Sequence, residues 1–192
     1  MAVSTDDDLM VDVLDAVLAK ASLSTTDLRN LKSTLADAHS SWTVASTGAS
    51  LQRRVDPTAS AAFSRVAAPE DAASEELVEA WNALYGVRPN YSDAWDHAIK
   101  AMEAALAPLV SPSDTSATLG KIISQVRQGA KGLRFALGDT EALAATIGMV
   151  WPNPDRHGGG VSRPPTESET AGVVHLAVTV LRWCRDGLIT RT

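Results

Sequence analysis

Cysteine is nearly absent from this sequence: Cys184 stands alone among 192 residues, so no internal disulfide can form. A disulfide-stapled secreted scaffold is thereby excluded, and a reduced, cytoplasmic setting is expected. Aromatic residues make up only 5% of the chain, and no apolar run approaches the ~20 residues that span a bilayer. The opening run Met1-Ala2-Val3-Ser4-Thr5-Asp6-Asp7-Asp8 lacks the basic flank and apolar stretch of a secretory leader. No membrane association is expected. Basic residues are also in deficit, 17 against 23 acidic for a net charge of −6. A broad electrostatic grip on nucleic-acid backbone is therefore excluded, and any RNA contact must be focal.

Several chemical signatures are missing as well. There is no G-x-x-x-x-G-K-[ST] and no G-x-G-x-x-G, so nucleotide hydrolysis and dinucleotide chemistry lack their phosphate cradles. The four histidines, His39, His97, His157 and His175, lie far apart. The one ligand-like spacing, Asp93-x-x-x-His97, is that of an ordinary pair on one helix face. No metal and no cofactor is expected. His157-Gly158-Gly159-Gly160 matches the oxyanion loop of some esterases, but the G-x-S-x-G elbow which that chemistry needs is not present.

What the sequence does hold is helical periodicity. Met10, Leu14, Val17 and Ala21 recur at steps of three and four behind the acidic run at 6–8, and Leu28, Leu31, Leu35 and Ala38 do so behind the capping residues Ser24-Thr25-Thr26-Asp27. These two segments predict an N-terminal helical hairpin. Residues 40–69 turn to Ser, Thr and Ala, with Pro57 and Pro69 as breakers. The expected division is a hairpin plus connection over 1–68 and a helical bundle over 69–192.

Beyond residue 70, Leu77, Trp81 and Leu84 mark one helix, which Gly86 is placed to end. Tyr91, Trp95, Ile99, Met102, Leu106 and Leu109 form the most regular apolar stripe, flanked by small alanines at 94, 98, 101 and 105 that admit a second helix closely. Leu119, Ile122, Ile123 and Val126 mark a further helix, as do Leu143, Ile147 and Val150 before Pro152. Thr166-x-x-Glu169 is a capping box opening a final helix with two apolar faces. Nothing alternates with period two over a useful length. The fold class is all-α, an up-and-down helical bundle.

Polar chemistry concentrates between the last two helices, in Asn153-Pro154-Asp155-Arg156-His157-Gly158-Gly159-Gly160 and on to Arg163. Arg156 is a permanent cation with forked donors suited to phosphate, and His157 exchanges protons near neutral pH. Gly158 and Gly159 allow close backbone approach and can turn N–H groups toward an anion. Such groups are the tools of metal-independent RNA cleavage, a base for the 2′-hydroxyl and a cation for the phosphorane. The site expected is His157 and Arg156 as catalytic residues, with Asn153, Gly158, Gly159 and Arg163 contacting substrate. A plain turn in which His157 packs or caps is the competing reading.

Four segments in order carry a resemblance: Ser92-Asp93-Ala94-Trp95-Asp96-His97-Ala98-Ile99-Lys100-Ala101-Met102-Glu103-Ala104-Ala105-Leu106, Ala117-Thr118-Leu119-Gly120-Lys121-Ile122-Ile123, Asp155-Arg156-His157-Gly158, and Val174-His175-Leu176-Ala177-Val178-Thr179-Val180-Leu181-Arg182-Trp183. Over residues 75–190 the chain resembles the C-terminal domain of bacterial abortive-infection proteins, in the HEPN superfamily. The resemblance implies an all-α bundle, a homodimer with an endoribonuclease site at the dimer cleft, and a part in anti-phage defence or a toxin–antitoxin system. Family members that cut RNA carry an R-x4-6-H motif. Here Trp151, Pro152 and Asn153 stand where its Arg is sought before His157, and residues 161–163 after Arg156 are Val, Ser and Arg. Arg156 must act from a different position, or Arg127 or Arg134 must supply the cation, or catalysis is lost. In the last case the chain is a non-catalytic helical module that binds a partner protein, a toxin, antitoxin or phage component.

Overall fold

A computed structural model describes residues 5–114, 116–151, 153–155 and 163–192. Eight helices and four three-residue strands occur among them, so the fold is an all-α helical bundle. The chain divides into two compact units, one running to Pro57 with Tyr85–Pro89 added, the other formed by Thr58–Leu84 and Asn90–Thr192.

In the smaller unit, helix α1 (Thr5–Lys20) and helix α2 (Thr25–Asp37) are followed by strands β1 (Trp42–Val44) and β2 (Leu51–Arg53). The start of α2 is fixed by a complete capping box, in which Ser24 accepts from the Asp27 N–H and Asp27 accepts from the Ser24 N–H. Val11, Leu14 and Leu18 of α1 pack with Leu28, Leu31 and Leu35 of α2 and with Val44 and Leu51 of the hairpin. The packed face of α1 therefore differs from the stripe expected at Met10, Leu14, Val17 and Ala21. Met10 and Val17 are exposed, as are Leu9 and Val13. The helix is apolar on two sides, so spacing alone does not choose between stripes separated by one residue. Asp15 makes the choice consequential: its carboxylate accepts the Leu51 N–H at 2.7 Å, tying α1 to the edge of β2.

The larger unit begins with helix α3 (Pro57–Ala67), in a region whose sequence suggests only a connection. Its anchors Phe63 and Val66 are buried, and the Phe63 ring stacks on Trp81 with centroids 4.1 Å apart. Trp81 belongs to helix α4 (Ala72–Tyr85), and helix α5 (Tyr91–Val110) follows. Asn90 caps α5 by accepting from the Asp93 N–H. Then come helix α6 (Leu119–Arg127), strand β3 (Leu133–Phe135), helix α7 (Thr140–Gly148), helix α8 (Glu167–Arg185) and strand β4 (Ile189–Arg191).

The centre of this unit is the pair α5 and α8. Ala94, Ala98, Ala101 and Met102 of α5 are fully buried, as are Val174, Ala177, Val180 and Leu181 of α8. The small alanines allow close helix approach, as their spacing suggests. Both helices run in the same direction. At one end Thr170 donates to the Tyr91 carbonyl at 3.4 Å. At the other end, β4, which follows α8, presents Arg191 to the carbonyls of Leu109 and Val110. With 20 residues in α5, the two ends are about 30 Å apart. Strands β3 and β4 pair antiparallel with Arg134 opposite Thr190, at the end where α5 and α8 finish.

Candidate functional site

The segment leading out of α7 is fastened to the first turns of α5 by a series of polar contacts. Val150 is buried, and its carbonyl accepts the Trp95 indole N–H at 2.9 Å. Trp151 lays its indole beside Gly120 on α6, so closely that a Cβ at 120 would sit 3.2 Å from the ring. Asn153 is fully buried. Its amide donates to Asp96 Oδ1 at 2.7 Å and, more weakly, to the Ser92 carbonyl at 3.5 Å, while its Oδ1 accepts the Asp155 N–H at 3.3 Å. Donor and acceptor each face a complementary group, which fixes the amide orientation. The Ser92 hydroxyl donates in turn to the Asp155 carboxylate. Asn153 is thus the peg on which the start of the loop hangs, positioned from α5 rather than aimed at solvent.

The return side is fastened by a different device. Arg163 forms a two-pronged pair with Glu169, Nη1 to Oε2 at 2.8 Å and Nη2 to Oε1 at 2.5 Å. The same carboxylate accepts from the Thr166 N–H, while the Thr166 hydroxyl accepts from the Glu169 N–H, completing the capping box foreseen in the sequence. Arg163 and these cap contacts pull the Glu169 carboxyl down to about 2. Because the pair is solvent-exposed, its contribution to stability is small. Tyr91 donates to Glu167 at 3.2 Å, so both ends of the loop meet where α5 and α8 begin.

Of the residues singled out from the sequence, Asn153 and Arg163 therefore stand at the two ends of the loop, each committed to an intramolecular partner. Arg156, His157, Gly158 and Gly159 lie outside the described residues. The two arginines considered as substitutes separate cleanly. Arg134 sits on β3 at the far end of α5 and α8, too distant to serve this loop. Arg127 shares a cleft of about 450 Å³ with Trp151, Ser124 and Gln128, and its only ion pair among the described residues is a long one, 3.6 Å to Glu141.

The surroundings of the loop ends are acidic. Asp96, Asp155, Glu167 and Glu169 stand there, with Asp96 bonded to Asn153, Asp155 to Ser92, Glu167 to Tyr91 and Glu169 to Arg163. One turn along α5, His97 is held between carboxylates, Nδ1 2.6 Å from Glu76 Oε2 and Nε2 3.7 Å from Asp93 Oδ1. Glu76 on α4 gives the Asp93–His97 spacing a cross-helix partner that the sequence does not suggest. No grouping of three metal-ligating side chains occurs among the described residues. Farther along α5, Glu103 accepts the Leu119 N–H at 2.6 Å, and burial raises its carboxyl above the ordinary value despite that bond. Burial likewise pushes the Cys184 thiol up to about 12, which makes it a poor nucleophile.

Ser92, Trp95 and Asp96 of α5 are positioning residues outside the site expected from the sequence, and Asp155, inside the expected loop, joins them. Ser92 and Asp96 lie four apart on α5, off its apolar stripe. Their partners are 63 and 57 residues away, a separation that no local pattern reports. Compared with known proteins, the chain matches no family model, no protein of curated function and no solved structure.

Proposed function

We propose that this chain is an abortive-infection-type endoribonuclease that cuts RNA without a metal, acting as a homodimer, with His157 moving the proton and Arg156 holding the phosphorane. The observation that carries the reading is the double fastening of the loop between Asn153 and Arg163. A fully buried amide on Asp96 anchors one end and a two-pronged arginine pair the other. Fixing the ends of a glycine-rich loop is how a scaffold presents reactive groups at a set place. Arg127 supports the same reading. It lies beside Trp151 in a cleft, where a cation and an aromatic face suit a phosphate and an unpaired base.

A second reading is favoured by the acidic surroundings of the loop ends, which repel a phosphate backbone and attract a basic surface. On that reading the bundle is a non-catalytic module that binds a basic partner protein, such as a toxin. One experiment separates the two. The wild-type chain, His157→Ala and Arg127→Ala are incubated with tRNA or total RNA in EDTA. Cleavage by wild type that His157→Ala abolishes and Arg127→Ala weakens supports the nuclease. RNA left intact by wild type over a wide range of concentrations removes the nuclease reading and leaves the binding module.

A further inference from the structure

At the far end of α5 from the loop, a cleft of about 520 Å³ opens between the last turn of α5, the solvent side of α6 and strand β4. Its volume is that of a small-molecule site. In a chain with a net charge of −6, its walls carry three cations, Lys121, Lys131 and Arg191, against one carboxylate, Asp114.

These cations come from three separate elements, and the backbone under each is held. Lys121 is on the first turn of α6 and reaches Asp114 at 2.6 Å. Lys131 rides a tight turn fixed by backbone bonds from Ala130 to the Gln125 carbonyl and from Leu133 to the Ala130 carbonyl, both 3.0 Å. Glycines 129 and 132 at φ 72° and 77° flank it, a conformation that other residues adopt only with strain. Arg191 is anchored by Nη1 to the last carbonyls of α5. Lys131 forms no ion pair among the described residues. The remaining wall includes the apolar Val110 and Pro112, beside the bonded pair Ser111 and Gln125.

We propose that this cleft binds a small phosphate ester, its phosphate between the ammonium groups of Lys121 and Lys131 with the Arg191 charge behind them, and its uncharged part along Val110 and Pro112. Three cations lining one cleft favour a dianion, and the space beyond what a bare phosphate fills accommodates a sugar or base. Asp114 opposes the ligand while it neutralises Lys121, so the site is tuned to bind weakly. The inference does not depend on RNA cleavage, since the cleft is about 30 Å, the length of α5, from the loop.

The test is calorimetric titration of the full chain with AMP, inorganic phosphate and adenosine. Saturable AMP binding is expected with Kd on the order of 0.1–1 mM, with phosphate weaker and adenosine without effect. Lys131→Ala and Lys121→Ala should each weaken AMP on the order of tenfold, the usual effect of losing one charge-assisted contact. Asp114→Asn should tighten it roughly threefold by removing the opposing charge. Lys100→Ala, an exposed lysine of α5 outside the cleft, should leave it unchanged. The inference is overturned if AMP fails to saturate, if adenosine binds as well as AMP, or if Lys131→Ala and Lys100→Ala behave alike.

Discussion

Replacing Asn153 with alanine removes the peg that holds the loop to α5, and the cost follows from its contacts. The amide bond to the Asp96 carboxylate, at 2.7 Å and with Asn153 fully buried, is a hydrogen bond to a charged group, worth about 1.5–3 kcal/mol. The longer bond from the Asp155 N–H, at 3.3 Å, adds about 0.5–1 kcal/mol. Asn153→Ala is therefore expected to lose about 3 kcal/mol, which for a chain of this size lowers Tm by about 6–12 °C. Asn153→Asp sets a second carboxylate against Asp96 and should be worse than Asn153→Ala at pH 7. Asp96→Asn keeps an oxygen acceptor and should cost less than Asp96→Ala. Urea denaturation of Asn153→Ala, Asp96→Ala and the double variant measures the coupling directly, expected at about 1–2 kcal/mol. An Asn153→Ala protein within about 0.5 kcal/mol of wild type, the range of ordinary surface changes, would refute the reasoning.

Other outcomes follow from the same contacts. Burial raises the Glu103 carboxyl, so its contribution is fully present below the unfolded value and is lost as pH rises through the folded one. Glu103→Gln, which keeps an acceptor for Leu119, should melt higher than wild type at pH 7 and equal to it near pH 4 in thermal scans. Gly132→Ala drives a Cβ to 2.4 Å from the Thr192 carbonyl oxygen at φ 77°, whereas Gly129→Ala meets nothing within 4 Å at φ 72°. The first should cost about 2–4 kcal/mol and the second about 1 kcal/mol, the penalty of left-handed backbone alone, as read by denaturant midpoints. Phe63→Ala empties a stacked position against Trp81 and should cost about 3–5 kcal/mol. A change under about 1 kcal/mol there would mean that α3 is not part of the core.

The helices were legible because their apolar residues recur at steps of three and four, and the caps at Ser24 and Thr166 mark starts that the structure reproduces. The hairpin β1–β2 was not legible, since three residues per strand are too few to register a period of two. Helix α3 escaped for a related reason: Ala and Ser dominate it, and only Phe63 and Val66 reach the core. In α1 the helix was readable and its packed face was not, because two apolar stripes differ by a single residue. The polar loop was visible as a concentration of unlike residues between two apolar helices. Its fastening was not visible. A serine and an aspartate on the side of α5 acquire meaning only when folding brings Asn153 and Asp155 across some 57–63 residues of chain.

The central claim, RNA cleavage from the loop between Asn153 and Arg163, is tested most directly by the chemistry of the product ends. A base acting on the 2′-hydroxyl without a metal leaves a 2′,3′-cyclic phosphate and a 5′-hydroxyl. Sequencing and end-labelling of tRNA treated with the wild-type chain in EDTA should find those ends, and His157→Ala should produce none. Intact tRNA, or ends of this type formed equally by His157→Ala, would contradict the account.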